Sequence, residues 1–91
     1  MSGNKKIKDL RVHINSIDDE LLKLLLQRFD LVKKIGAIKG ELEIKIVDSS
    51  REEEIINRLS LRSAGKINRD DIASIFRPIY EVSKKLQAKE K

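Results

Sequence analysis

The segment IKDLRVHINSIDDELLKLLLQRFDLVKKIGAIKGEL, residues 7–42, decides the fold. Apolar residues recur along it at alternating spacings of three and four, which is the periodicity of an α-helix with one buried face. These positions, called the apolar seam below, are Ile7, Leu10, Ile14, Ile17, Leu21, Leu24, Leu31, Ile35, Ile38 and Leu42. The pattern predicts one helix from roughly Lys8 to Glu41, which at about 1.5 Å per residue extends ~50 Å.

Such a helix is too long for the rest of its own chain to cover. The chain has 91 residues, and a compact globule of that length has a diameter of about 30 Å. A second copy must therefore pack along the helix, which predicts an intertwined helical homodimer. We expect residues 1–91 to form a single domain of this assembly.

Two shorter helices follow in the pattern. Residues 48–50 offer N-cap candidates for the second helix, and Ser50 with Glu53 has capping-box spacing. This helix should end near Gly65, and Asn68 should begin a third helix of medium length.

The third helix carries an apolar stripe with one interruption. The stripe is Ile72, Ile75, Phe76, Ile79, Val82 and Leu86. Pro78 lies inside it and should kink the helix or leave a backbone carbonyl open, because its ring clashes with the preceding turn. The expected fold class is all-α, with a long, a short and a medium helix in each chain.

Composition excludes several classes of function. The chain has no cysteine and one histidine, so it offers no thiolate nucleophile, no disulfide and no multi-histidine metal site. Aromatic residues make up 3%, too few for base-stacking platforms, and the net charge is +5. No apolar run is long enough for a signal peptide or a membrane span. We expect a cytoplasmic protein without a membrane or nucleic-acid partner.

Two cations interrupt the apolar seam. Arg28 occupies a position between Leu24 and Leu31 that the pattern reserves for an apolar residue, and Lys39 returns to the same face three turns later. A buried guanidinium is costly unless it is paired with an anion. A structural ion pair or an arginine that reaches the surface would also satisfy Arg28, but two cations on one face favour an external anionic ligand.

Other polar residues are compatible with a site without requiring one. Arg11 lies near the start of the long helix and could reach the far half of an antiparallel partner, or could simply be solvated. Ser83 and Gln87 lie one turn apart on the third helix, where the apolar stripe could also be fading toward solvent. Arg51 and Glu52 open the second helix, where Glu52 suits the helix dipole and Arg51 does not.

Taken in order, these residues resemble the all-helical (AroQ) class of chorismate mutases over nearly the whole chain. The elements that carry the resemblance are Leu10-Arg11, Ile14, Ile17-Asp18, Leu24-Leu25, Arg28, Gly36, Lys39, Asp48, Arg51-Glu52, Ile75-Phe76, Ile79, Glu81, Ser83 and Gln87. Pro78 and the short turn at residues 65–67 depart from the family pattern without removing a matched position.

The resemblance implies a role for each matched polar residue. Arg28 and the partner subunit's Arg11 would hold the two carboxylates of chorismate, and Ser83 would add a further carboxylate contact. Lys39 and Gln87 would be the catalytic pair, each donating to the ether oxygen of the bond that breaks.

The start of the second helix would bind the ring of the substrate. In the family pattern, Glu52 and the backbone at Asp48 correspond to the contact with the ring hydroxyl, and Arg51 to an arginine that holds these groups in place.

The implied reaction is the conversion of chorismate to prephenate in phenylalanine and tyrosine biosynthesis. This intramolecular rearrangement needs no nucleophile, proton transfer, metal or cofactor, which suits the residue inventory. Isochorismate pyruvate lyase has the same fold and is the nearest alternative, but its glutamate position is apolar, and Glu52 favours the mutase. A basic helical binding module is a more distant alternative, which would carry its cations on an exposed face.

Overall fold

The computed structural model describes residues 2–46 and 48–89 and contains three helices. They are α1 (Ser2–Leu42), α2 (Ser49–Arg62) and α3 (Arg69–Lys89), with 41, 14 and 21 residues. No strand occurs within these described ranges. The all-α prediction of a long, a short and a medium helix is confirmed. Val47, between the first and second helices, lies outside the described residues.

The chain divides into two compact units, Met1–Leu31 and Val32–Lys91. The first unit holds the N-terminal part of α1, which begins at Ser2, before the predicted start near Lys8. Seam side chains of this unit are exposed, with Leu10 61% and Leu24 57% accessible. The single domain expected over residues 1–91 stays a prediction.

The core of the second unit lies between α2 and α3. Its members are Ile55, Ile56, Ile72, Ala73 and Tyr80, with Leu59 and Phe76 packed against them. Ile56 is fully buried, and burying a side chain of this size contributes about 1.5–3 kcal/mol. Ile55, Ile56 and Leu59 thus form the inward face of α2.

The buried face of α3 differs from the predicted stripe. Ile75 and Val82 are 53% and 42% exposed, whereas Tyr80, Ser83 and Gln87 are buried. The buried positions follow the helical period from residue 72 to residue 87, and polar side chains occupy the last two of them. Counting only apolar residues therefore displaced the predicted face by about one position. The helix continues through Pro78 to Lys89.

A Schellman motif ends α1. The Ile44 N–H donates to the Lys39 carbonyl at 2.9 Å, and the Glu43 N–H donates to the Gly40 carbonyl at 3.4 Å. Glu43 has a φ of 58°, the left-handed conformation that this motif requires and that glycine usually supplies. The motif fixes where the chain leaves the helix, after Leu42 and about one turn beyond Lys39.

Asp48 caps α2, and the predicted Ser50–Glu53 capping box is wrong. The Asp48 carboxylate accepts from the Arg51 N–H at 2.9 Å. Glu53 instead accepts from the guanidinium groups of Arg69 and Arg77 in α3. A cap one residue before Ser49 leaves Ser50 inside the helix, where its side chain no longer faces the free N–H groups.

Asn68 caps α3 as predicted, and the turn before it contains two left-handed residues. The Asn68 carboxamide oxygen accepts from the Asp71 N–H at 2.8 Å. Helix α2 ends at Arg62, and Ala64 and Gly65 have φ values of 53° and 80°. The predicted stop near Gly65 is confirmed, with Ala64 sharing the left-handed conformation.

Candidate active site

The second unit brings the Lys39 region of α1 against the Gln87 region of α3. Gly36 lies one turn before Lys39, and its Cα faces the backbone of Gln87 so closely that a Cβ there would lie 2.7 Å from the Gln87 Cα. Since residues three apart share a face of a helix, Lys39 lies on the side of α1 that approaches α3. The two residues predicted to act on the ether oxygen thus belong to adjoining helix turns.

Lys39 is half-buried, and its side chain already binds the segment that joins α1 to α2. Its ammonium donates to the Ile46 carbonyl at 3.3 Å. An ammonium carries three donors, and one such contact leaves donors for a ligand. The Schellman motif and this bond together tie both the backbone and the side chain of Lys39 to residues 43–46.

The Gln87 amide is buried, and its oxygen has no hydrogen-bond partner among the described residues. Burying a polar group without a partner costs free energy, typically about 1–3 kcal/mol. A ligand or a second chain that supplies a hydrogen bond here would offset that cost. Gln87 is therefore a buried polar residue and does not belong to a stripe that fades toward solvent.

Ser83, one turn before Gln87, is also buried. Its hydroxyl donates to the Ile79 carbonyl at 2.8 Å, the common bond from a helical serine to the carbonyl four residues earlier. For the hydroxyl to donate to a substrate carboxylate, it must rotate away from this carbonyl. Ser83 and Gln87 nonetheless face the same buried side of α3.

The N-terminus of α2 gathers the other predicted contacts. Asp48 holds the first turn through its side chain, and its carbonyl accepts from the Glu52 N–H at 3.2 Å. Arg51 is exposed and donates to Glu54 at 2.9 Å. Glu52 is half-buried, and its carboxylate lies toward α3. The backbone contact expected at Asp48 and the carboxylate contact expected at Glu52 are adjacent.

Sequence reasoning missed Lys84, which connects the α2 start to α3. Its ammonium lies 3.5 Å from the Glu52 carboxylate and 3.1 Å from that of Glu81. The pair with Glu81 follows from helical spacing, but the pair with Glu52 joins residues far apart in sequence. The hydrogen bond to Glu81, followed by the charge of Glu52, raises the pKa of Lys84 above its ordinary value of 10.5.

A second ionic cluster fastens α2 to α3. Glu53 accepts from Arg69 and from Arg77, the latter at 3.2 Å, and Arg69 also donates to Asn57 at 2.9 Å. These hydrogen bonds, that of Arg69 first, lower the pKa of the Glu53 carboxyl below its ordinary value of 4.5. This exposed cluster joins α2, which carries Glu52, to α3, which carries Ser83 and Gln87.

The remaining predicted residues, Arg11 and Arg28, belong to the first unit. Arg11 is exposed and Arg28 is half-buried. Arg28 is thus less exposed to solvent than the apolar seam residues on either side of it, Leu24 and Leu31, which are 57% and 59% exposed.

The all-helical fold, with the buried polar residues Ser83 and Gln87 on α3, defines a small helical domain with a polar site. Comparison with known families then identifies the family to which this domain belongs. The family model described as chorismate mutase type II matches residues 10–88. The chain belongs to this family.

Individual relatives agree with the family. The chain is 33% identical to a chorismate mutase of Methanocaldococcus jannaschii over 91% of its own length and 85% of that protein. It is 32% identical to a bifunctional chorismate mutase/prephenate dehydratase of Aquifex aeolicus, covering 93% of this chain and 25% of that protein. It is 35% identical to the T-protein of Haemophilus influenzae, covering 85% and 21%.

The predicted function class is confirmed by these comparisons: the chain is an isomerase of the chorismate mutase type. It spans about a quarter of the bifunctional Aquifex relative and most of the Methanocaldococcus relative. Within residues 2–46 and 48–89, no helix is both long and apolar enough to cross a membrane.

Proposed function

We propose that the protein converts chorismate to prephenate at two equivalent sites of a homodimer. In each site, Arg28 and the partner subunit's Arg11 hold the two carboxylates, with Ser83 as a further contact. Bidentate guanidinium groups suit this task because they fix a carboxylate in orientation as well as in position. Their effect on rate is to restrict the flexible enolpyruvyl side chain to its reactive pose.

The catalytic pair in this proposal is Lys39 and Gln87. As the ether bond breaks, negative charge develops on its oxygen, and donors aimed at that oxygen bind the transition state more tightly than the substrate. The Gln87 amide donates without needing to be protonated, and the Lys39 ammonium adds a full positive charge. Neither residue exchanges a proton with the substrate.

The start of α2 binds the ring in this proposal. Glu52, with the Asp48 backbone, accepts from the ring hydroxyl, and Arg51 holds these groups in place. Lys84, at 3.5 Å from Glu52, keeps the carboxylate oriented across the gap between α2 and α3.

The observation that carries the proposed site is the burial of the Gln87 amide against the turn of α1 that leads to Lys39. The amide oxygen, which can only accept, has no hydrogen-bond partner among the described residues, and the amide NH₂ is the group that would donate to the ether oxygen. A buried polar group in this state favours occupancy by a ligand or by another chain. On the facing turn of α1, the Lys39 ammonium forms no ion pair with a carboxylate of the described residues, and this free positive charge favours an anionic ligand.

The exposed part of the apolar seam supports the dimer. Seam residues of the first unit, such as Ile17 at 58% and Leu21 at 53%, expose large apolar surface along one helix face. Contiguous apolar patches of this kind mark interaction surfaces. A second copy of α1 with the same periodicity is the occupant that matches this face.

The test is activity together with complementation between two inactive variants. Purified protein should consume chorismate, followed by its absorbance, and prephenate should be identified as the product. Arg11→Ala and Arg28→Ala should each be nearly inactive. After subunit exchange in an equal mixture, about one quarter of wild-type activity should return, because half of the dimers then have one intact site.

Two results would contradict this proposal. Activity that stays absent after proven subunit exchange excludes a site shared between chains. Release of pyruvate from isochorismate, without conversion of chorismate, would assign the lyase reaction. The cytoplasmic location expected from the composition stays a prediction, which localisation of the tagged full chain would check.

A further inference from the structure

Helix α1 approaches α3 closely at Gly36. A Cβ at residue 36 would lie 2.7 Å from the Gln87 Cα, 2.9 Å from the Gln87 carbonyl oxygen and 3.0 Å from the Gln87 Cβ. Two of these three atoms are backbone, so no rotation of a side chain could move them away. Any residue other than glycine at this position requires the two helices to separate.

The backbone conformation does not explain this glycine. Gly36 lies within α1 and is not among the residues with positive φ, unlike Gly65. Inside a helix, glycine is less stable than alanine because it loses more conformational freedom on folding. Gly3, in the same helix, has no atom within 4 Å of its would-be Cβ. What Gly36 supplies, and Gly3 does not, is space for Gln87.

We propose that Gly36 is a positioning residue for catalysis: by omitting a side chain, it sets the distance between the Lys39 ammonium and the Gln87 amide. The inference rests on the proposed function, in which these two groups act together on the ether oxygen. Gly36 precedes Lys39 by one turn and touches the backbone of Gln87, so it controls the separation of the two turns that carry the donors.

The expected effect of a single added methyl group follows from the distances. Ordinary van der Waals contact between carbon atoms begins near 3.4 Å, so Gly36→Ala requires a displacement of at least about 0.7 Å. Misplacement by about 1 Å can reduce a rate up to 100-fold when the reaction depends on alignment. Because the carboxylates are held by other residues, kcat should fall about 10- to 100-fold while KM changes less than about threefold.

The experiment measures kcat and KM for wild type, Gly36→Ala and the matched control Gly3→Ala. Gly3→Ala adds the same methyl group to the same helix in open space and should keep wild-type kinetics. Circular dichroism and sedimentation establish that each variant keeps its helices and its oligomeric state. Equal kinetics for Gly36→Ala and Gly3→Ala would overturn the inference.

A double variant separates positioning from general loosening of the fold. If Gly36 acts through Gln87, adding Gly36→Ala to a Gln87→Ala chain should lower kcat much less than it does in wild type. Equal factors in the two backgrounds would overturn the positioning role. Wild-type protein that does not convert chorismate would refute the proposed function, and the inference with it, whereas an active wild type with an unaffected Gly36→Ala refutes the inference alone.

A second variant covers the case in which Gly36→Ala does not fold. Gln87→Asn withdraws the amide from Lys39 by one methylene and adds no atom at Gly36. It should reproduce the same selective loss of kcat. Wild-type kcat for Gln87→Asn would show that the spacing is not critical, which overturns the inference whatever Gly36→Ala does.

Discussion

Replacing Glu43 with glycine should stabilise the protein, although glycine normally weakens a chain. Glu43 occupies the left-handed position of the Schellman motif, with a φ of 58°. That conformation costs a residue with a Cβ about 1–2 kcal/mol, and the greater freedom of glycine in the unfolded chain offsets about 0.5–1 kcal/mol. The carboxylate also lies at the negative end of the α1 dipole, which costs a further ~0.3 kcal/mol or more.

The net expectation is about 1 kcal/mol of added stability for Glu43→Gly. The measurement is urea unfolding followed by circular dichroism, with all variants at one protein concentration because assembly also affects stability. Glu43→Gln is the control for charge, since it removes the carboxylate and keeps the strained backbone. Glu41→Gly is the control for glycine itself, since residue 41 is helical and the change should destabilise.

The reasoning is refuted if Glu43→Gly is no more stable than Glu43→Gln. It is refuted equally if Glu43→Gly and Glu41→Gly destabilise to the same extent, because the left-handed position would then confer no advantage on glycine. The kcat and KM of Glu43→Gly should equal those of wild type, since the hydrogen bonds from Glu43 and Ile44 back to α1 do not involve side chains.

Three further outcomes are expected. Glu52→Val should lower kcat/KM roughly 10- to 100-fold, the effect of losing a hydrogen bond to a charged group, with unchanged circular dichroism; wild-type activity would refute the ring contact. Gln87→Glu should lose about 2–4 kcal/mol of transition-state stabilisation at neutral pH and recover as acidification protonates the new carboxyl; a pH profile parallel to wild type would exclude contact with the breaking bond. Hydrogen bonds from Arg69 and Arg77 lower the pKa of Glu53, so the ionised carboxylate stabilises the folded protein above its ordinary pKa, and this contribution is lost as pH falls through the pKa of the folded state. The Tm difference between wild type and Glu53→Gln should therefore shrink on acidification. A Tm difference that stays constant with pH would contradict this.

The fold class and the number of helices could be predicted from the sequence because the apolar periodicity of a helix depends on residues that lie close together in the chain. The N-caps were less certain from sequence, since Asp48 and Ser50 are both good capping residues and only the structure shows which one the chain uses. The turn after Leu42 was not predictable, because glutamate is an uncommon residue at a left-handed position.

Site residues could be predicted where an unusual residue type interrupts the sequence pattern. They could not be predicted where their role depends on the distance between two helices. An arginine at residue 28, within an apolar pattern, is conspicuous in any sequence. The contact between Lys84 and Glu52 depends on the relative placement of α2 and α3. The burial of Ser83 and Gln87 depends on the rotation of α3 about its own axis, which the apolar stripe alone gave about one position out of phase.

The short connection between α2 and α3 has a consequence for how the chain folds. Residues 63–68 join two helices whose buried side chains meet in one core. Closing so short a loop costs little chain entropy, and contacts between sequence neighbours form quickly. We expect this helical hairpin to form first, in a phase whose rate does not change with protein concentration, and to order Ser83 and Gln87 before the exposed face of residues 7–31 meets whatever covers it.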